Sequence, residues 1–421
     1  MSWQAVTLGE LITSHWSGHS FNSADYTDTG TPVLTKGDIK PRGIIEHGTR
    51  FVDPELIEAK SIKLTTHKDL LVSTRDLTTA ANFLGLVAKA PNSEAYAVNQ
   101  GVTVFRVDES KVDRDFIAYW CEGEFFRGYI KCHYAGATQI HIRHSDLMAA
   151  PVRLPTMRVQ RRIASILSTY DELIENTSQR IAILEEMARR IYEEWFVHFH
   201  FPGHEHVRMV ESEFGPVPKG WCLVTLGDVC AYINRGLAPK YDDTAQGIVI
   251  NQKCIRDQRL NLAEARRQSK TVPQEKFVAV GDVLINSTGV GTLGRVAQVL
   301  EPLESCTVDT HVSIVRPSKE LDHDFFGLAL FSKQPNFEAM GVGSTGQTEL
   351  SRGRIADTAL LLPPKALQDQ FGLSVRAMRH LSVKLQAVNR NLRTTRDLLL
   401  PKLISGELDV SALPEPGAVA A

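Results

Sequence analysis

The sequence predicts an α+β protein of two tandem mixed α/β domains, each followed by a long helix, with the two helices packing on one another. Three observations predict it: the chain repeats itself, each copy opens on short β-branched stretches, and each copy ends on a sustained helical stripe.

The repeat is read in order. Trp3-Gln4-Ala5-Val6-Thr7-Leu8-Gly9-Glu10 returns as Trp221-Cys222-Leu223-Val224-Thr225-Leu226-Gly227-Asp228. Asp69-Leu70-Leu71-Val72-Ser73-Thr74 is echoed by Asp282 to Thr288, and Gly85-Leu86-Val87-Ala88 by Gly294-Arg295-Val296-Ala297. Val102-Thr103-Val104-Phe105-Arg106 answers to Val312-Ser313-Ile314-Val315-Arg316. Asp115-Phe116, Gln139, Pro155 and Gln160 match Asp324-Phe325, Gln347, Pro363 and Gln368. Preserved order with a slowly drifting offset is the mark of duplication.

Within each copy, β-branched runs such as Ile62-Lys63-Leu64-Thr65 and Val278-Ala279-Val280 are broken by Gly, Asn, Asp and Pro, which reads as mostly β structure. Asp115 to Tyr129 and Asp324 to Ser332 carry aromatics at helical spacing. The apolar positions Ile163, Leu167, Tyr170, Ile174, Thr177, Ile181, Leu184, Ala188, Ile191 and Trp195 alternate steps of four and three. A second series runs from Leu367 and Phe371 through Met378, Leu381 and Leu385 to Leu399. Such alternation is the seam of a coiled coil, and a helix of roughly 40 residues spans about 60 Å. Pro155 and Pro363-Pro364 precede the two helices, Pro202-Gly203 closes the first, and both are expected to run without internal Pro or Gly apart from Gly372 near the start of the second. A stripe can also pack on its own domain. Two matched seams, each too long for the domain before it, are better satisfied by each other. The boundaries that follow are 1–155 and 218–364 for the domains, 156–201 and 365–405 for the helices, 202–217 for a linker and 406–421 for a flexible tail.

At 421 residues the chain is too long for one core, and 43% hydrophobic with 23% charged residues suits a soluble globular protein. Met1 to Ala5 lacks the pattern of a secretory signal, and no apolar run reaches membrane-spanning length, so a cytoplasmic protein is expected. Six scattered cysteines without a CxxC pair read as reduced thiols. The net charge of −2 conceals an asymmetry: residues 156–198 hold six basic and seven acidic side chains, residues 365–405 eight basic and two acidic. The second helix offers a basic face to an acidic partner or to phosphates.

The helix ends carry a family likeness. Arg190-Ile191-Tyr192-Glu193-Glu194-Trp195-Phe196-Val197 is similar to an SWFV-type segment, and Leu398-Leu399-Leu400-Pro401-Lys402-Leu403-Ile404-Ser405-Gly406-Glu407 to an LLPKLISGE-type ending. Pro218-Lys219-Gly220-Trp221 is similar to a P-x-G-W entry. With the domain–helix–domain–helix order, the chain resembles the specificity (S) subunits of type I restriction-modification systems. The resemblance implies two target-recognition domains, each reading half of a bipartite asymmetric DNA site. It also implies an antiparallel helix pair that sets the gap between halves. Two methyltransferase subunits and restriction/motor subunits would be the partners, holding the S-adenosylmethionine, ATP and Mg2+ that this chain would not bind, and no catalytic residue would lie here. The family carries acidic residues after WFV where this chain has His198 and His200; with His204 and His206 they suggest a metal site, but a histidine-containing linker accounts for them.

Base reading needs Arg or Lys for guanine and Asn or Gln for adenine. The first domain offers Lys36, Lys40, Arg42, Arg75, Gln139, His141, Arg143 and His144. The second offers Asn251, Gln252, Lys253, Arg256, Arg259, Arg266, Arg267, Thr345, Gln347, Arg352 and Arg354. The loops 136–139 and 343–347, which hold the matched Gln139 and Gln347, are the segments expected at the DNA. Gly289-Val290-Gly291-Thr292-Leu293-Gly294 fits a dinucleotide-binding fingerprint, but a strand-like run follows it where that motif needs a helix. Asp53-Pro54-Glu55 with Glu58 and Lys60 reads as a charged turn, and neither a Walker A nor an N-P-P-[YF] segment is present. Two other readings stay open: a DNA methyltransferase or nuclease whose motif is unfamiliar, and a coiled-coil interaction scaffold that does not bind DNA.

Overall fold

The structure, a computed structural model, describes residues 3–40, 43, 50–91, 94–212, 215–340 and 349–413. It divides into two compact units, residues 1–176 with 389–421 and residues 177–388. Each long helix therefore contributes to both.

In the first unit, a four-stranded sheet is ordered Ile12–Ser17, Val102–Val107, Asp69–Ser73, Val87–Lys89. The pairings are antiparallel, with Val104 opposite both Trp16 and Leu71. The central strand is buried on both faces. Leu70 and Val72 point into one core cluster, Leu71 into another. Two-sided burial explains why this stretch is a continuous apolar run where a half-exposed strand would alternate. The second unit repeats the sheet as Cys230–Arg235, Val312–Pro317, Val283–Asn286, Val296–Gln298. There Val283 and Ile285 face one cluster and Leu284 the other.

The matched polar residues of the two copies have matched duties. Arg106 grips the buried Asp69 with Nε at 2.8 Å and Nη2 at 3.0 Å, and Arg316 grips Asp282 at 2.8 and 2.7 Å. Asp113 caps the helix Arg114–Glu122, and Asp322 caps His323–Ser332. Gln160 then accepts from the Asp113 N–H at 2.8 Å and donates to the Pro155 carbonyl at 2.9 Å. Gln368 repeats this on Asp322 and Pro363 at 3.2 and 2.8 Å. Each copy is also closed on itself, since Gln4–Thr7 pairs with Pro151–Leu154 and Cys222–Thr225 with Ala359–Leu362. The start of each long helix is thus nailed to the domain before it.

The far end of each helix joins the other core. In the first unit, Ile163, Ala164 and Leu167 share a cluster with Leu403 and Ile404. The packing is close at Gly123, where a Cβ would lie 2.2 Å from Ile404 Cδ1 and push that side chain aside. Asp171 accepts from Tyr119 Oη at 2.6 Å and from Arg396. Burial, aided by the Asp171 charge, pushes the Tyr119 phenol far above its ordinary pKa. In the second unit, Ala188, Tyr192 and Phe196 share a cluster with Phe371 and Val375. Phe196 meets Phe371 edge-on at 4.9 Å and Trp221 at 5.8 Å between ring centroids. Glu185 accepts from Arg259 Nε at 2.9 Å, Ser382 Oγ at 3.0 Å and Gln386 Nε2 at 3.2 Å. Within each unit the two helical segments run in opposite senses.

The first long helix spans Met157–Phe196 and the second Lys365–Ser405. The first is five residues shorter at its end than the expected 201. The His198 N–H folds back to the Glu193 carbonyl at 2.9 Å and His200 N–H to Glu194 at 2.7 Å, while Phe199 adopts φ 62. Phe201 then turns into the second unit's core beside Trp221. Residues 202–217 carry a short turn, His204–His206, and most of a hairpin of Met209–Ser212 with Gly215–Pro218. Pro401 stands inside the second helix, a breaker the sequence reading passed over. Having no N–H, it cannot make the backbone bond of a helical turn.

The tail was expected to be flexible; part of it, around Val410, packs on the first unit. Val410 is 3% exposed, and buried Arg162 donates to the carbonyls of Val410, at 3.2 Å, and Ser411. Residues 414–421 lie outside the described residues.

Phe371 is fully buried where both helices meet the second core. Phe371→Ala is expected to cost about 3–5 kcal/mol, read as an earlier denaturant midpoint for the second unit.

Candidate nucleic-acid interface

In the first copy, the strand Asp69–Ser73 runs on through Thr74 into the short strand Arg75–Asp76. That strand is the edge of a three-stranded sheet with Ile140–Ile142 and Tyr134–Ala135. The register sets Arg75 opposite His141. The turn 136–139 is tight: Gly136 has φ 101, and a Cβ there would lie 2.2 Å from the Gln139 carbonyl oxygen. Gln139 rides exposed on this turn, His141 is exposed on the strand that follows, and Arg143 is exposed at the start of the helix His144–Met148. Next to them, His144 Nε2 lies 2.9 Å from Thr103 Oγ1 and 3.3 Å from Ser17 Oγ, with His15 edge-on at 5.2 Å. Burial, with a smaller push from His15, lowers the His144 pKa and favours the neutral ring.

Arg75, Gln139, His141, Arg143 and His144 are therefore brought together on one edge. Gln100, with its amide turned to suit its neighbours, accepts from both Nη atoms of Arg75 at 3.1 Å. Lys36 and Lys40 belong to a different sheet, on the half-buried turn after the strand Thr31–Leu34. Arg42 lies outside the described residues.

The second copy places Thr288 against Glu349 in the bridge that corresponds to Arg75 and His141. Thr288 Oγ1 is 2.6 Å from His311 Nδ1, while Arg235 holds Glu349 at 2.6 Å and the Leu350 carbonyl at 3.0 Å. The glycine-rich segment forms a turn between strands, as expected, and leans on Gln252: a Cβ at Gly289 would lie 2.3 Å from Gln252 Oε1. Lys253 is exposed beside it, and exposed Arg256 stands on the hairpin Ile255–Arg256 with Arg259–Leu260.

Several other candidates have local employment. Asn251 caps the Lys253 N–H at 2.8 Å and donates to the Glu264 carbonyl at 2.7 Å. Arg259 is tied to Glu185 of the first long helix. Arg266 stacks on Tyr241 at 3.6 Å, and Arg267 donates to the Ala245 carbonyl at 2.8 Å. The short helix Arg352–Ala356 holds Arg352 and Arg354, both exposed, with the Arg354 guanidinium donating to the Met340 carbonyl. Thr345 and Gln347 lie outside the described residues.

His15, Ser17, Arg235, His311 and Glu349 were missed. Their signal was the repeat: Ser17 and Arg235 both end the outer strand of the sheet, and Glu349 pairs where His141 does.

The linker histidines are occupied locally, His200 Nδ1 by Glu194 at 2.9 Å and His204 Nδ1 by the Phe201 carbonyl at 2.9 Å. Among the described residues, no group of three or more His, Cys, Asp or Glu side chains is placed to hold a metal ion, and no helix is long and apolar enough to cross a membrane.

Residues 1–186 and 218–372 match the family described as Type I restriction modification DNA specificity domain. The chain belongs to this family. It is 24% identical over 392 residues to the MjaIX type I restriction enzyme specificity subunit of Methanocaldococcus jannaschii, covering 88% of this chain and 84% of that one. With the HindI specificity subunit of Haemophilus influenzae it shares 22% identity over 342 residues, 63% of this chain and 71% of that one. The crystal structure of a type I restriction-modification S subunit from M. genitalium superposes with a TM-score of 0.63 at 18% identity, over 96% of both chains, and so shares the fold.

The Arg75 edge is braced from beneath by Asp76, 3% exposed, whose carboxylate accepts from the N–H groups of Thr78 at 3.1 Å and Phe83 at 2.8 Å. Burial would raise its pKa, but these donors outweigh burial and hold it below the usual carboxylate value. A lowered folded-state pKa contributes stability that is present above the unfolded value and lost as pH falls through the folded one. Asp76→Asn is therefore expected to lose about 1–3 kcal/mol at pH 7, with the gap to the parent closing in acid. Denaturant titrations at both pH values check it.

Proposed function

We propose that the chain is the DNA-reading subunit of a cytoplasmic type I restriction-modification complex, with residues 1–155 and 218–364 as target-recognition domains for the two halves of a bipartite, asymmetric site. The single observation that carries this is the doubled edge. Two copies of one sheet each present the same strand end, where Arg75 faces His141 in one copy and Thr288 faces Glu349, itself held by Arg235, in the other. A shared scaffold with different side chains at one place is what reading two different half-sequences requires.

The long helices pair as an antiparallel coiled coil and act as the ruler between half-sites. Supporting this, Asp171 bonds Arg396, and Glu185 bonds Ser382 and Gln386. A stiff strut holds one spacing where a flexible linker would accept many. Partners dock along these helices: two adenine-methyltransferase subunits and the motor-nuclease subunits. Leu173 and Leu398 of the first unit, and Ile183, Met187 and Val388 of the second, are 44–63% exposed on helical surface, as an interface requires. Catalysis, S-adenosylmethionine, ATP and Mg2+ belong to those partners, and this chain contributes no catalytic group.

Exchange of residues 221–364 for the second domain of another specificity subunit is expected to change one half of the methylated sequence and leave the other. Methylome sequencing checks it, and a change in both halves or neither refutes the assignment. One heptad added to each long helix lengthens the strut by about 10 Å. The same assay is expected to report a gap wider by about three base pairs with both half-sites unchanged.

A further inference from the structure

Both copies leave one aliphatic side chain in water at the same point of the same connection. The strand Asp69–Ser73 leads out to Leu77, 61% exposed, and the strand Val283–Asn286 leads out to Val290, 92% exposed. Leu77 follows Asp69 at the same sequence distance as Val290 follows Asp282, although the residues around them differ. A lone exposed aliphatic is ordinary on a protein surface. One repeated at an equivalent position, on differently built turns, is not.

Neither turn is slack. In the first copy, Asp76 ties Thr78 and Phe83 as described, and Arg127 donates to the carbonyls of Ala81 at 3.2 Å, Asn82 at 3.1 Å and Leu84. In the second, the N–H groups of Thr292 and Leu293 meet the Gly289 carbonyl at 3.2 and 3.0 Å. Asn286 Nδ2 holds the carbonyls of Thr292 and Gln252 at 3.1 and 3.0 Å, and Arg295 holds that of Gly291 at 2.8 Å. Each aliphatic tip is thus carried into solvent by a braced turn, beside polar groups suited to base edges: Arg75 in one copy, Gln252 in the other.

The apolar feature that a DNA groove offers such a tip is the thymine 5-methyl group in the major groove. Side chains that wedge between base steps from the minor groove include Phe, Leu, Ile, Met and Pro. Valine is shorter, and Val290 flanked by two glycines suits lateral contact with a methyl better than insertion.

We infer that Leu77 and Val290 are specificity-determining residues, each packing on a pyrimidine 5-methyl group in its half-site. The inference rests on the DNA-reading proposal and assigns it two apolar contacts that a search for hydrogen-bonding side chains does not find.

The test uses the full chain in complex with its methyltransferase partner and measures its affinity for duplexes of its own site. Each thymine is replaced in turn by deoxyuridine, which lacks only the methyl. One replacement in each half is expected to weaken wild-type binding about fourfold, the factor for one buried methyl-sized group. Val290→Ser is expected to abolish that sensitivity in the half read by residues 218–364 alone, Leu77→Ser in the other half alone, and Val290→Ile to restore it. A complex that binds its own site no better than an unrelated duplex overturns the DNA-reading proposal, and this inference with it, whereas one that prefers its site but is indifferent to every uracil replacement overturns the inference alone. A complex that selects its site but gives the same uracil profile with V290S as with wild type overturns the inference alone. A uniform loss of affinity in V290S with an unchanged profile overturns it too.

Discussion

In each unit, the cluster that takes in the long helices is completed by helix ends supplied from two places in the chain. A stripe that continues through many turns presents more apolar surface than the domain before it can cover, and water is a poor alternative. In the first unit, Ile163 and Leu167 are covered together with Leu403 and Ile404. In the second, Tyr192 and Phe196 are covered together with Phe371 and Val375. The arrangement makes the helices part of the domains they serve, so a domain cannot swing on its helix without opening its own core.

Polar groups reinforce the same junctions, and they do so in proportion to what surrounds them. Asp171 has a buried phenol on one side and Arg396 on the other, and Glu185 has a guanidinium, a hydroxyl and an amide. Arg379, 6% exposed, is held by Asp324 at 3.1 Å and Gln298 at 2.7 Å. Removing one member of such a set leaves a buried polar group without its partner, which costs more than the bond was worth. These sites specify which segments meet, while apolar side chains such as Ile163 and Leu403 in one unit and Phe196 and Phe371 in the other supply burial. Division of labour of this kind lets the register between segments be set by a few residues.

Much of this was legible in the sequence, for a physical reason. Repeats and long stripes are properties of many residues at once, so no single substitution hides them. The matched pairs Gln160 with Gln368 and Pro155 with Pro363 stood out because each performs a backbone-bonding task that few other side chains perform. Endings were harder. The first helix stops at Phe196 because Phe199 takes a left-handed conformation and Phe201 is drawn into a core, and neither event is local to the stripe. Pro401 and the packed segment around Val410 were lost for the same reason, since long-range packing overrode local signals.

The candidate contact residues were only partly legible because one criterion was used to choose them. Hydrogen-bonding capacity selects Asn251, Arg259 and Arg354, but a folded chain spends such groups on its own backbone, caps and ion pairs first, as all three do here. What remains for a ligand is what the fold leaves unspent at a place it holds still. Arg75 meets only half of that test: an edge strand set by Asp76 and pairing with His141 hold it still, but Gln100 already accepts from its guanidinium. Leu77 and Val290 meet it through exposure on braced turns, although neither side chain can donate or accept. Position on the repeated scaffold is thus a better guide than residue type, since duplication preserves a position while the side chains there diverge.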